Sequence, residues 1–436
     1  MNRPIKVLFV GDSDSQILAC EALCRFPKNL AVEITINTIP REGTPEAILL
    51  RAQALGRHWC HSIEELITHP EITEFDAVGV YLTGSKIAQF RAALDLIPAS
   101  QRPLMFCGFN GVVLEKFIEG IYWRLGSDLI CLSGPRDLEA LRRVTAHTPF
   151  EAQAVALTGL QRNQPEHPLA NDKRPKLMVF AEQVVMPAEL SDRVRMVRIL
   201  AGLAERSPDW QLVIKPRIAP GETTFHKVQE HIGQTLDQAL VHRPVNLNLD
   251  YSPLPELLQR ARLMATVSST AFFDAMDFGC RPVVMADFGI QRENGSHTFV
   301  GSGVWTELNS VESLDQLDAN LPAPSKTWLE WMGYSTKLTP ANLIDELARL
   351  KDQGPTPAKI PPKGYVSSGS INFMQLRRMA EKAIADGQYR DAANFLKIAK
   401  QLRPTHRNVA RRLKAVQARN RLLRRLLLIL SRRKLG

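Results

Sequence analysis

The sequence predicts an α/β protein with two Rossmann-like domains, followed by a C-terminal all-helical extension. Three observations carry this prediction. Two successive sets of short apolar runs alternate with helical stretches, a proline-rich break separates the sets, and the composition changes abruptly after about residue 350. Short apolar runs alternating with helices argue for parallel sheets covered on both faces, because parallel neighbours need a crossover connection.

The chain has 436 residues, room for two or three domains at about 100–200 residues each. Its 44% hydrophobic and 23% charged residues exclude a collagen-like or mainly disordered chain. No apolar run approaches the ~20 residues that cross a bilayer. The opening MNRPIKVLFVGDSDS turns polar at Gly11 without a small-residue cleavage site, so no secretory leader is expected. Cys20, Cys24, Cys60, Cys107, Cys131 and Cys280 form no CxxC pair. They are expected to be reduced, buried residues of a cytoplasmic protein, not a zinc site or disulfide frame.

The first set begins with the buried-strand pattern Lys6–Val10, a Gly11–Ser15 turn and a helical stretch from Gln16 to Phe26. Strand-like runs follow at Val32–Ile36, Ala77–Leu82, Leu104–Cys107, Leu129–Leu132 and Ala154–Leu157. Residues Asn163–Pro175 are polar and proline-rich and read as a linker. The second set comprises Lys176–Phe180, a helix over Leu190–Glu205, Gln211–Ile214, Leu263–Val267, a helix from Ala271, and Pro282–Met285. The expected domains are 1–165 and 176–350, with ligands in a cleft at the carboxyl strand ends. A linker over 351–372 and a basic helical tail over 373–436 complete the chain. Within the tail, Ala380, Ala383, Gly387, Tyr389, Ala392, Phe395, Ala399 and Pro404 have the spacing of one tetratricopeptide-like helix pair.

Charge is concentrated in that tail. The whole chain carries 55 Lys+Arg against 45 Asp+Glu, and residues 373–436 hold 18 of the basic and 3 of the acidic residues. The remaining 37 basic and 42 acidic residues leave the body slightly acidic, so the basic excess does not indicate a nucleic-acid-binding body. Arg411–Lys434 places leucines and arginines so that a helix has an apolar stripe beside a cationic face. Such a segment suits an anionic membrane surface or a protein partner, with packing on the body or an oligomer seam as alternatives. RNA is not expected, because aromatic interleaving is missing.

Several polar groups stand at predicted carboxyl strand ends. Asp12, Ser13 and Asp14 follow the first strand, where a carboxylate can serve as general base. Asp14 is the preferred base and Asp12 the alternative; an Asx-type cap on the following helix is the competing structural role. Gly108 and Gly111 either let a ligand approach the backbone or form a tight turn. Lys215 and Arg217 flank a proline and can meet phosphates, as ordinary surface cations also could stand there. Ser268, Ser269 and Thr270 open a helix that carries Asp274, forming either an anion seat or a set of N-caps. Glu222 lies in the intervening loop, and His226 is a proton-donor candidate or a structural histidine. No DxD-like acidic pair follows a strand of the second set in a way that suggests a bound divalent ion, so neither metal nor cofactor is expected.

Together these stretches resemble a family of bacterial surface-polysaccharide glycosyltransferases with two Rossmann-like domains (GT-B type), similar in layout to bacterial sialyltransferases. The resemblance rests on Asp12-Ser13-Asp14-Ser15, Pro103–Gly111, Arg124–Asp128, the Lys215–His226 stretch, Ser268-Ser269, Asp274–Val284, Asp287-Phe288-Gly289 and Gly301-Ser302-Gly303. It covers about Ile5 to Gly303. Lys215-Pro216-Arg217 stands where sialyltransferases carry His-Pro, so their histidine is not carried over. Phe225 also separates Thr224 from His226, where the family has the two adjacent.

The resemblance implies transfer of a sugar from a nucleotide-activated donor, with a CMP-linked acidic sugar as one candidate, to a surface-glycan or lipid-linked acceptor. It implies a cytoplasmic enzyme, peripheral at the inner membrane face if the tail binds lipid. The competing expectations are a sugar-nucleotide epimerase or polyol-phosphate transferase on the same architecture, and an inactive glycosyltransferase-like scaffold with a helical docking tail.

Overall fold

The computed structural model describes residues 3–24, 30–40, 46–113, 117–146, 148, 150–161, 169–183, 186–219, 230–292, 295–354 and 373–432. The chain divides into two compact units. The first comprises Met1–Leu132, Arg136–Thr158 and Pro340–Gly436; the second comprises Ser133–Pro135 and Gly159–Thr339.

The first unit holds seven parallel strands: β1 Ile5–Gly11, β2 Val32–Thr38, β3 Arg57–Trp59, β4 Ala77–Val80, β5 Leu104–Cys107, β6 Leu129–Leu132 and β7 Val155–Leu157. Their order is β3-β2-β1-β4-β5-β6-β7. Successive β1 side chains point to opposite faces, so Val7 and Phe9 pack with Ile17, Tyr81 and Phe106. Leu8 and Val10 enter the opposite cluster with Trp59, Val78 and Phe90. Both faces are apolar because both are covered, as a parallel sheet requires.

The second unit holds six parallel strands: β8 Leu177–Ala181, β9 Gln211–Lys215, β10 Leu247–Leu249, β11 Leu263–Thr266, β12 Arg281–Met285 and β13 Trp305–Thr306. Their order is β10-β9-β8-β11-β12-β13. The expected architecture of two Rossmann-like domains and a helical C-terminal region is therefore present. The strands missing from the sequence reading, β3, β10 and β13, all lie at sheet edges. Edge strands are short and half solvated, so they carry Arg57, His58, Asn248 and Thr306 without the apolar run that marks a central strand.

The domain boundaries differ from the expected ones. The helix Ala341–Gln353, placed with the second domain on sequence, belongs to the first unit. Leu343, Ile344, Leu347 and Leu350 enter its core, Asn342 Nδ2 donates to the Leu157 carbonyl at 2.9 Å, and Lys351 pairs with Asp76 at 2.9 Å. Near the end of the expected 163–175 linker, Arg174 is 1% exposed. Its guanidinium donates to the carbonyls of Leu169, Leu258, Ala261 and Phe278, so this end of the segment is tied into the second unit. The rest of that linker from 163 to 168, and 355–372 of the second linker, lie outside the described residues.

The tail forms the helices Phe373–Ala385, Tyr389–Leu402, Arg407–Val416 and Arg421–Arg432. Leu376, Ala380, Ala392, Leu396 and Ala399 bury themselves in one cluster with Ile121, Tyr122, Leu125 and Leu141. Tyr122 Oη donates to Gln401 Oε1 at 3.0 Å. The extension is thus integral to the first unit. All six cysteines are free, but Cys60 is exposed at the end of an edge strand and Cys24 half-buried, against the expectation that all would be buried.

Candidate active site

In a doubly wound sheet, connections leave the central strands in opposite directions where the strand order reverses, opening a crevice at the carboxyl ends. The reversal falls between β1 and β4 in the first sheet and between β8 and β11 in the second. A polar pair bridges each reversal.

In the first unit the chain leaves β1 at Asp12, which is 4% exposed. Its carboxylate accepts from Lys86 Nζ at 2.5 Å. Lys86 sits in the first turn of the helix Ser85–Leu94, directly after the loop that leaves β4. Asp12 therefore does not cap the helix after β1. That helix begins at Asp14, with Ser13 as N-cap making no side-chain cap bond, while Gln16 Oε1 accepts from the Asp12 N–H at 2.6 Å. The Asp14 side chain lies outside the described residues.

At the end of β5, Gly108 has a packing role. A Cβ on Gly108 would stand 2.6 Å from Tyr81 Oη and 3.0 Å from its ring, so glycine is required by the buried tyrosine. The Gly108 carbonyl accepts from Arg124 Nε at 2.7 Å, and the Arg124 guanidinium stacks 4.0 Å over Phe109. A Cβ on Gly111 would meet none of the described residues within 4 Å. Between them, Asn110 Oδ1 is buried and accepts no hydrogen bond from the described residues, which leaves it open to a donor. The other half of the Arg124–Asp128 motif is structural: Asp128 takes two hydrogen bonds from Arg102, at 2.7 and 3.1 Å, and one from the Met105 N–H at 2.7 Å.

In the second unit, Gln183 follows β8 and Ser268 follows β11. Gln183 Oε1 accepts from the Ser268 N–H at 2.9 Å, and Gln183 Nε2 donates to Ser268 Oγ at 3.3 Å. Ser268 is fully buried and is a brace for the reversal. Ser269 Oγ accepts from the Ala271 N–H at 3.2 Å, so Ser269 carries the local cap; Thr270, at the N-cap position, makes no side-chain cap bond. Asp274 lies half-buried in the first turn of the helix Ala271–Asp277. Burial, then the Asp277 carboxylate, push the nearby Tyr334 hydroxyl well above the usual phenol range.

Beside this reversal, Lys215 ends β9 half-buried and donates from Nζ to the Pro216 carbonyl at 2.6 Å. Arg217 is exposed, and its N–H donates to Glu182 Oε2 at 3.0 Å. Glu182 in turn pairs with Arg193 at 2.8 Å, both side chains 4% exposed, which pins the β9 loop to β8. After β10, the Ser252 hydroxyl and N–H hold the Asp250 carboxyl below the ordinary carboxylate range, with Arg260 and Lys215 adding their charge. The carboxyl rim of this sheet thus bears Lys215 and Arg217 after β9 and Ser268, Ser269 and Thr270 after β11, with the end of β8 between them. Glu222 and His226 lie outside the described residues.

The motifs that close the resemblance are structural. Asp287 accepts from the N–H groups of Leu308 and Asn309 at 2.8 and 2.9 Å. Ser302 is fully buried, between Gly301 and Gly303 at φ 90° and 82°. Lys86, Gln183 and Glu182 escaped the sequence reading; the one available signal was their position just beyond a β-strand. Among the described residues, no group of three or more His, Cys, Asp or Glu is placed to hold a metal ion.

Residues 7–350 match the family described as "Putative glycosyltransferase (DUF6716)". Among solved structures, the Staphylococcus aureus MnaA–UDP complex superposes with a TM-score of 0.50 at 10% identity, covering 80% of this chain and 97% of that one. UDP-GlcNAc 2-epimerase from Neisseria meningitidis, bound to UDP-GlcNAc, gives a TM-score of 0.47 at 13% identity, covering 79% and 100%. A glycosyltransferase from Rickettsia africae gives 0.48 at 9% identity, covering 81% and 99%. The first of these likenesses is one of fold. No curated protein matches the chain.

Proposed function

The chain belongs to that glycosyltransferase family, and from this premise we propose that it transfers a sugar from a nucleotide-activated donor to a hydroxyl of a surface-glycan or lipid-linked acceptor. The observation that carries the reading is the carboxyl rim of the second sheet, which bears Lys215 and Arg217 at the end of β9 and the Ser268–Thr270 hydroxyls at the end of β11, with the end of β8 between them. Cations and hydroxyl donors at that position meet the charge that grows on a departing nucleotide phosphate. At the β1/β4 reversal, Asp12, buried at the carboxyl end of β1, is taken as the general base, with Asp14 as the alternative. In the proposed step the carboxylate takes the acceptor hydroxyl's proton as its oxygen bonds the sugar's anomeric carbon. The bond from that carbon to the phosphate oxygen breaks, and the nucleotide leaves with the electron pair. The unsatisfied Asn110 Oδ1 is a candidate acceptor for another hydroxyl of the incoming sugar.

The donor base is the open specificity. The sialyltransferase resemblance implies CMP, whereas the Staphylococcus structure is a UDP complex. Thermal-shift measurements with CMP, UDP, GDP and CDP decide: a ligand at a hundredfold excess over its dissociation constant adds about 2.7 kcal/mol to the folded state. Selective stabilisation by one nucleotide that Lys215→Ala abolishes supports the reading, and silence toward all four removes it. The reading expects transfer without an added divalent ion, which an assay in chelator checks. The alternative is a sugar-nucleotide epimerase on the same fold; it would alter the donor sugar with no acceptor present, which NMR of the products distinguishes.

A further inference from the structure

The last helix, Arg421–Arg432, is fastened along one flank and bare along another. Leu428 and Ser431 are 9% and 7% exposed. Arg412, itself buried, donates to the Leu428 carbonyl and to Ser431 Oγ at 3.1 Å each, and its Nε donates to Glu381 Oε1 at 2.7 Å. These bonds set which side of the helix faces outward. On that side Leu422, Leu423, Leu426, Ile429 and Leu430 are 77, 48, 54, 59 and 56% exposed. At about 100° per residue they fall within one arc of roughly 120°. Arg421 and Arg425, both exposed, run along one edge of that arc.

We propose that this face docks the first unit onto an anionic lipid bilayer, with the helix lying in the plane of the headgroups. A contiguous aliphatic face open to water marks a surface made to be covered. Its surroundings select the occupant. After Asp391 the chain holds 14 Lys+Arg and no Asp or Glu in its last 45 residues. Aliphatic side chains beside arginines suit the boundary between acyl chains and anionic headgroups, each nearby cation contributing about 1 kcal/mol. A second copy would set two helix faces edged by Arg421 and Arg425 against each other, a like-charge juxtaposition that disfavours association. Nucleic acid would use the cations, yet it leaves the leucines uncovered, and the helix offers no aromatic ring for stacking. Twelve residues span only about 18 Å, too short to cross a bilayer. Among the described residues no helix is long and apolar enough to do so.

The test is flotation of the full-length protein with vesicles of phosphatidylcholine, alone or mixed with phosphatidylglycerol. Binding is expected to the mixed vesicles and to fall as salt rises. Leu426→Glu combined with Leu430→Glu is expected to abolish it while the melting temperature and the nucleotide response stay at wild-type values, which separates this proposal from the transfer reading. Arg421→Gln with Arg425→Gln should weaken binding by at least about tenfold. Absence of flotation, or equal flotation with neutral vesicles, overturns the proposal. So does a wild-type dimer by light scattering that the paired leucine variant converts to a monomer, because that result assigns the face to a second copy.

Discussion

Asp12 and Lys86 are 74 residues apart in the chain and 2.5 Å apart in space. Their contact joins the loops after β1 and β4, the two strands between which the first sheet reverses its order. The second sheet has a neutral counterpart in Gln183 and Ser268, 85 residues apart, which join the ends of β8 and β11. Both reversals are therefore polar and fixed in geometry before a ligand arrives, the condition under which charge developing in a reaction is met without reorganisation.

If Asp12 is the base, Asp12→Asn should lower the turnover number by about 10²–10⁴ while leaving the nucleotide-dependent thermal shift intact. Lys86→Met should also reduce transfer and lower stability by roughly 1–2 kcal/mol, because the buried carboxylate loses a partner that is itself half exposed. An Asp14→Asn variant that loses more activity than Asp12→Asn would move the assignment back to Asp14.

Gln183→Leu leaves the buried Ser268 N–H without its acceptor. Urea unfolding should show a loss of about 1–3 kcal/mol. The nucleotide response should shrink with it, since the brace positions the segment carrying Ser269 and Thr270. A stable variant with full nucleotide response would show that the brace does not support the donor site.

Gly108→Ala pushes a methyl group against Tyr81 and should cost about 1–3 kcal/mol by overpacking. The nearest obstacle is the phenol oxygen, so adding Tyr81→Phe should recover part of the loss. A double-mutant cycle measures that coupling, and strict additivity would refute the packing role.

Asp128→Ala takes from the Arg102 guanidinium, whose side chain is 5% exposed, its nearest carboxylate and leaves it the Pro103 carbonyl and the more distant Asp95. Breaking such a buried pair costs about 3–5 kcal/mol. Chemical denaturation should place Asp128→Asn between wild type and Asp128→Ala, because the amide retains one acceptor oxygen for the Arg102 fork or the Met105 N–H.

Burial lowers the pKa of His58, whose Nε2 lies 3.0 Å from Thr38 Oγ1. The unfolded chain, with an ordinary imidazole near pH ~6.5, binds the proton more readily. Stability from this residue is thus intact above that pH and lost as pH falls through it toward the lowered folded value. The drop in urea midpoint between neutral and mildly acidic solution should be smaller in His58→Gln than in wild type; an equal drop would place the acid sensitivity elsewhere.

The local pattern of the chain determined its central strands, the helix Leu190–Glu205, the two-domain plan and the helical C-terminal region. Burial on both sheet faces demands runs such as Val7–Val10, and a surface helix demands its own period, so both signals are written in adjacent residues. The polar residues at strand ends were legible for the same reason: Asp12 and Ser268 stand where an apolar run stops. Tertiary structure alone decided what each of them touches. Lys86 and Gln183 are ordinary surface-type residues in sequence, and only the reversal of strand order brings them to Asp12 and Ser268. It also decided that Gly108 yields to Tyr81, that Asp128 answers Arg102, and that the helix Ala341–Gln353 returns to the first unit. Periodicity records whether a side chain is buried, whereas its partner is set by which distant segment fills the neighbouring space.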